Sequence, residues 1–194
     1  MRQAAGTVRR MSWGAGLSIP NLITLARILL VPVLVWAITA GQMKIAFLLF
    51  LAAGVSDAVD GFLAKRFGMA TRLGAFLDPL ADKAMIVSIY VALGIADAIP
   101  RWLVILVVSR DIMIVSAVIL SWLVDKPVAL KPLAVSKFNT VAQILLALLV
   151  LAALGYGFDA DVAIKGLTAL VAVLTLLSIG FYLTEWVRHM NATN

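Results

Sequence analysis

Six long runs of apolar side chains, parted only by short polar segments, constrain what this 194-residue chain can fold into more than any other feature of it. A helix needs about 20 such residues to cross the ~30 Å hydrocarbon layer of a membrane. In lipid a backbone must also satisfy its own polar groups, which only helices and closed barrels do. The composition agrees, with 63% of residues hydrophobic, 13% charged and a mean hydropathy of +1.07, whereas soluble domains are roughly half apolar and a quarter charged. Punctuation by proline, glycine and charge predicts an all-α integral membrane protein with six transmembrane helices near 20–40, 43–66, 74–97, 100–124, 133–154 and 163–187. They make one domain, 20–187, because no connection is long enough to be a second. Pro20 and Pro100 fall at helix starts, where a missing amide proton costs no hydrogen bond.

Residues 1–19, with Arg2, Arg9, Arg10, Met11 and Trp13, read as an amphipathic segment lying on anionic headgroups. Arg9 and Arg10 ahead of an apolar run also look like the start of an export signal. Arg27 interrupts what would be its hydrophobic stretch, however, and the run has the length of a full span, so the segment is expected to be retained. Lysine and arginine then set the orientation. Arg2, Arg9, Arg10, Lys65, Arg66, Arg72, Lys126, Lys131 and Arg188 fall on one side, and Lys44, Arg101 and Lys165 on the other. That asymmetry puts both termini and the 66–73 connection in the cytoplasm, with a bacterial cytoplasmic membrane as the expected location. It also accounts for the net charge of +6 without a nucleic-acid partner, since the basic residues are spread over membrane-proximal loops. The chain has no cysteine, and its single histidine, His189, lies near the C-terminus. Zinc-type sites and imidazole acid–base chemistry have almost no raw material.

Against this apolar background, the second helix ends VSDAVDGFLAKR and the third begins LGAFLDPLADK. Asp57 and Asp60 are three residues apart and Asp78 and Asp82 four, so each pair shares a helix face, and antiparallel packing across the short connection lets four carboxylates converge. At ~1.5 Å of rise per residue, Asp57 lies roughly 12 Å below Lys65, inside the bilayer. A charge there costs about 2.5–3.5 kcal/mol on insertion scales, and mutual repulsion adds to it unless something positive sits between the carboxylates. Hard divalent cations fit, because Mg²⁺ takes a few carboxylates together with phosphate oxygens, and oxygen is all this cluster offers. A lone intramembrane aspartate is commonly a helix–helix hydrogen-bonding residue; four at this spacing serve no packing purpose. Gly61 removes a side chain beside Asp60 and allows a ligand close approach, while Gly54 and Gly74 equally suit tight helix packing.

These residues resemble the signature of the CDP-alcohol phosphatidyltransferase family, DxxDGxxAR, eight residues, then GxxxDxxxD. Here it reads Asp57, Asp60, Gly61, Ala64, Lys65, eight residues, Gly74, Asp78 and Asp82, with lysine in place of the family's arginine. The resemblance implies that an alcohol attacks the β-phosphate of CDP-diacylglycerol and expels CMP, with two Mg²⁺ or Mn²⁺ ions held by Asp57, Asp60, Asp78 and Asp82. It makes Asp82 also the group that takes the proton from the attacking hydroxyl. Two bridged ions can neutralise a diphosphate and its leaving group, and a carboxylate among like charges can become a useful base. By the same resemblance Gly61, Lys65 and Thr71 hold the nucleotide, together with Asp57, Asp60 and Gly74, and relatives form homodimers. Lys65 supplies charge but no bidentate fork, so Arg66 is available to contribute. The first span opens PNLITLAR, similar to the PNxxTxxR of the phosphatidylglycerophosphate and cardiolipin synthase branches. Asn21, Thr24 and Arg27 recur every three residues, a stripe suited to lining a polar cavity at the CDP-lipid, and Arg27 at that depth calls for an anionic partner.

The acceptor is read from the second half. SRD at Ser109–Asp111, SKFNTVAQ at Ser136–Gln143 and ADAIP at Ala96–Pro100 look like the CMP-forming cardiolipin synthase branch, which implies phosphatidylglycerol as acceptor; glycerol 3-phosphate is the alternative. Arg110, Lys131 and Lys137 are the candidates for the acceptor's phosphate, with snorkelling to the headgroups the plainer reading of the two lysines. A divalent-cation transporter is the reading from another class. It is disfavoured because the carboxylates cluster near one face and no inverted repeat of the DxxD pattern appears.

Overall fold

The computed structural model describes the backbone over residues 19–67, 72–123 and 134–192, and side chains over 24–57, 81–116 and 135–184. The N-terminal amphipathic segment expected at 1–19 lies, apart from the first residue of the first helix, outside the described residues. Those that are described form helices: α1 (Ile19–Thr39), α2 (Met43–Phe67), α3 (Arg72–Ile95), α4 (Arg101–Leu123), α5 (Ala134–Tyr156) and α6 (Asp161–Ala192). All six expected helices are present, and their ends fall within a few residues of those read from the sequence. By length and apolarity Val135–Tyr156 and Asp161–Thr184 are able to cross a membrane, and Thr24–Thr39 is a shorter apolar helix.

The helices close into a ring. Going round it, α1 packs on α2, α2 on α5, α5 on α6, α6 on α4, α4 on α3 and α3 back on α1, while α3 and α5 also touch across the middle. Short connections join α1 to α2, α3 to α4 and α5 to α6 at one end of the bundle. Their geometry follows from how the odd-numbered helices stop. Gly41, at φ +73°, lets its own amide reach the Ile38 carbonyl and that of Gln42 reach Ala37. The same two-bond C-cap ends α3, where Asp97 takes the left-handed conformation at φ +53° and Ala98 donates to Leu93. Gly157, at φ +71°, closes α5 with one bond to Ala153.

The bundle is divided along its axis. Toward these connections the interior is apolar, with Leu34 and Ile38, Ile89 and Leu93, Leu103 and Val107, Leu146 and Val150 all buried. Among the described residues the other half holds the buried polar Thr24, Arg27, Arg110, Asp111, Asn139, Gln143, Thr175 and Ser178, with only Thr168 outside it. Outside, large apolar side chains face the surroundings: Leu29 is 64% exposed, Trp36 60%, Ile105 66% and Phe138 67%. An exterior this apolar, around an interior of which half is polar, suits association with a membrane.

At the apolar end α5 passes very close to the start of α2. A Cβ on Gly155 would lie 2.8 Å from both the backbone nitrogen and the Cα of Lys44, and Phe47 meets Tyr156 edge-on there at 5.7 Å. Backbone cannot swing aside as a side chain can. Gly155→Ala is therefore expected to destabilise the bundle by about 1–3 kcal/mol, read as a lower melting temperature in detergent, and an unchanged melting temperature would refute the close approach.

Candidate functional site

Among the described residues the polar half of the bundle contains two ion-pair centres, one on either side of α3. The first joins α1, α2 and α3. Arg27, 4% exposed, aims one guanidinium nitrogen at two carboxylates: Nη1 lies 2.6 Å from Asp57 Oδ1 and 2.5 Å from Asp82 Oδ1. The anionic partner that Arg27 required is therefore a pair of partners. The carboxylates remain 47% and 44% exposed. Two oxygens from different helices within bonding reach of one nitrogen converge on a single cationic point, and they are hard, all-oxygen donors. Such a pair fits a divalent cation of the Mg²⁺ class. Pro32, inside α1, has no amide to give to the Ile28 carbonyl, one residue beyond Arg27, so the ladder is interrupted beside the site. Thr24 is fully buried one turn before Arg27 and is hydrogen-bonded or otherwise engaged.

The second centre joins α3, α4, α5 and α6. Arg110, 2% exposed, donates from Nη1 to Asp111 Oδ1 at 2.5 Å, from Nη2 to Ser136 Oγ at 2.5 Å, and from Nε and Nη2 to Ser178 Oγ at 3.2 and 3.1 Å. Lys83 Nζ reaches the same Asp111 Oδ1 at 3.0 Å. One turn further along α5, Asn139 accepts a bond from Thr175 at 3.2 Å, and a turn beyond that the backbone carbonyl of Gln143 accepts one from Tyr90 at 3.1 Å. Arg27 Nε, Asn139 Nδ2 and Gln143 Nε2 are buried donors that find no acceptor among the described residues. This half of the bundle thus has more donors than its own oxygens take up, which suits an oxygen-rich ligand.

A cleft of about 430 Å³ opens beside the first centre. Its polar end is Arg27, Asp57, Asp82 and Thr140; the rest of its wall is apolar, with Phe50, Leu51, Met85, Ile86, Ile144 and Leu148. Charge at one end and hydrocarbon along the remainder describe the outline of an amphiphile.

Residues 17–182 match the CDP-alcohol phosphatidyltransferase family. The chain belongs to that family. Among its relatives it is 34% identical over 181 residues to the CMP-forming cardiolipin synthase of Homo sapiens, covering 85% of this chain and 60% of that protein. It is 33% identical over 182 residues to the cardiolipin synthase (CMP-forming) / mitochondrial hydrolase fusion protein of Schizosaccharomyces pombe, covering 85% of this chain and 30% of that one. A shorter match, 35% over 109 residues, links it to the CDP-diacylglycerol–glycerol-3-phosphate 3-phosphatidyltransferase of Bacillus subtilis, covering 48% of this chain and 56% of that protein. The chain thus spans less than two thirds of the length of each of these relatives.

Of the CDP-alcohol phosphatidyltransferase signature, the structure brings Asp57 and Asp82 together. Asp60, Gly61, Lys65, Gly74 and Asp78 lie on α2 and α3, and Asn21 on α1, with side chains outside the described ones. Thr71 and Lys131 lie outside the described residues altogether. Arg110 is buried in the second centre, whereas Lys137 is exposed, as a snorkelling lysine would be. The sequence reading missed Lys83 and Ser178. Lys83 directly follows Asp82 and was the findable one, because a lysine within a membrane helix calls for a partner as Arg27 does. Ser178 carries no such signal.

Proposed function

We propose that this chain transfers a phosphatidyl group from CDP-diacylglycerol to an alcohol with release of CMP, and that the alcohol is phosphatidylglycerol, giving cardiolipin. The observation that carries the reading is the cleft with two converging carboxylates at its polar end and an apolar wall beyond them. A CDP-lipid would put its diphosphate at Asp57 and Asp82 and an acyl chain along Phe50, Met85 and Ile144. Four aspartates, Asp57, Asp60, Asp78 and Asp82, would hold two Mg²⁺ or Mn²⁺ ions, which supply charge neutralisation for the diphosphate and the departing CMP. Asp82 would accept the proton of the attacking hydroxyl, and Gly61, Lys65 and Thr71 would contact the nucleotide. The six apolar runs would be membrane spans, the lysine and arginine asymmetry would turn the aspartate end toward the cytoplasm, and a homodimer is the assembly expected from the resemblance.

Phosphatidylglycerol is favoured because the relatives that match 85% of the chain are named cardiolipin synthases. Glycerol 3-phosphate is the second reading, supported by the Bacillus subtilis relative. Purified protein given CDP-diacylglycerol and each acceptor in turn, with lipid products resolved by chromatography, separates the two: cardiolipin from the first acceptor only supports the proposal, and phosphatidylglycerophosphate from the second only replaces it. EDTA is expected to abolish CMP release, and added Mg²⁺ or Mn²⁺ to restore it. Undiminished product after chelation would remove the metal assignment.

A further inference from the structure

We infer that Lys83 holds the phosphate of the acceptor, a glycerol phosphate carried either by a lipid or by the free ester. The inference rests on the transferase reading above. Its starting point is a charge imbalance. Lys83 and Arg110 share a single carboxylate oxygen, Asp111 Oδ1, at 3.0 and 2.5 Å, and the other partners of Arg110 are the neutral hydroxyls of Ser136 and Ser178. Two cations against one anion, among the described residues of a largely apolar bundle, leave room for a second anion.

The two cations are not equivalent. Arg110 is buried and donates four of its hydrogen bonds within the protein, so it is fixed. Lys83 is 38% exposed and gives one bond to Asp111, and an ammonium has three protons to donate. Lys83 is therefore the accessible face of this centre. Its place on α3 gives it a role. Successive helical residues are about 100° apart, so Asp82 points to α1 and Arg27 while Lys83 points to α4 and Asp111. Ile86, whose angle on the helix falls between the two, lines the cleft. Lys83 is not itself part of the cleft wall, but it stands next to Asp82 on α3, on the far side of Ile86 from it. In a glycerol phosphate three carbons separate the terminal hydroxyl from the phosphate. An acceptor that offers its hydroxyl to Asp82 can rest its phosphate on the next side chain of the same helix, and Arg110 behind Asp111 adds to the positive field there.

The test is steady-state kinetics of Lys83→Met and Lys83→Arg in mixed micelles, with phosphatidylglycerol and glycerol 3-phosphate varied separately. The methionine variant is expected to raise the KM of the acceptor that is used by about tenfold or more, with the KM for CDP-diacylglycerol within about threefold of wild type, and arginine to recover much of the loss. An unchanged acceptor KM, or a rise confined to CDP-diacylglycerol, overturns the assignment. A readout that needs no variant is acylation of Lys83 in the wild-type protein, followed by mass spectrometry. The acceptor is expected to slow it, and equal labelling with and without acceptor counts against the proposal. Wild-type protein that releases no CMP with either acceptor fails the transferase reading itself; an active wild type with an indifferent Lys83→Met fails only this inference.

Discussion

Asp82→Asn is expected to lower kcat by about 10²- to 10⁴-fold, the usual worth of a positioned proton acceptor, with the KM for CDP-diacylglycerol changed by less than about threefold. Asparagine keeps the size of the side chain and an oxygen that can still accept from Arg27, which now sits 2.5 Å from Asp82 Oδ1. The packing of α3 against α1 therefore survives. What disappears is the negative charge and the capacity to take a proton from an incoming hydroxyl. Asp57, within 2.6 Å of the same guanidinium nitrogen, retains its charge to face the diphosphate. Initial rates of CMP release measured against both substrates separate the effects. A loss of lipid affinity as large as the loss of turnover would make Asp82 a binding group and vacate its role as base.

How far the sequence reveals this arrangement depends on whether a feature is local. The helices were legible because apolar runs, Pro20, Pro100, Gly41 and Gly157 mark them along the chain. The turn at Asp97 was less so: its left-handed conformation is one that glycine adopts freely, and no sequence pattern announces an aspartate there. At the site, the depth of Arg27 demanded an anion, and the DxxD spacing put carboxylates on facing helices, so the pairing was within reach even though the particular oxygens were not. The second centre is another matter. Its adjacent pair, Arg110 and Asp111, is local, and Arg110 is one of the candidates that the sequence offers for the acceptor's phosphate. Ser136 and Ser178, respectively 26 and 68 residues from Arg110, reach it only because α4 packs on α6 and α6 on α5. Neutral hydroxyls leave no trace in charge or hydropathy, so their link to Arg110 had to wait for the fold. The signature residues Lys65 and Thr71 stand on spacing and resemblance alone.

Arg27→Met is expected to be the other large effect, and it reports on stability and on cation binding together. The arginine is 3% exposed at its side chain and its Nη1 is the common neighbour of Asp57 and Asp82. Removing it leaves two half-exposed carboxylates facing each other with no positive group between them. Breaking a buried pair costs about 3–5 kcal/mol. Because these carboxylates reach solvent, screening reduces that cost, and about 2 kcal/mol is the scale to expect. In detergent without divalent ions the variant should melt below wild type. Addition of Mg²⁺ should then raise its melting temperature by more than it raises that of wild type, since binding to the folded state stabilises in proportion to RT ln(1 + [L]/Kd) and no guanidinium opposes the incoming charge. Arg27→Lys, which keeps a point charge able to touch both oxygens, should fall between the two. Equal Mg²⁺ responses in all three proteins would mean that the carboxylates paired with Arg27 are not where the cation binds, and the assignment of Asp57 and Asp82 as ligands would fail with it.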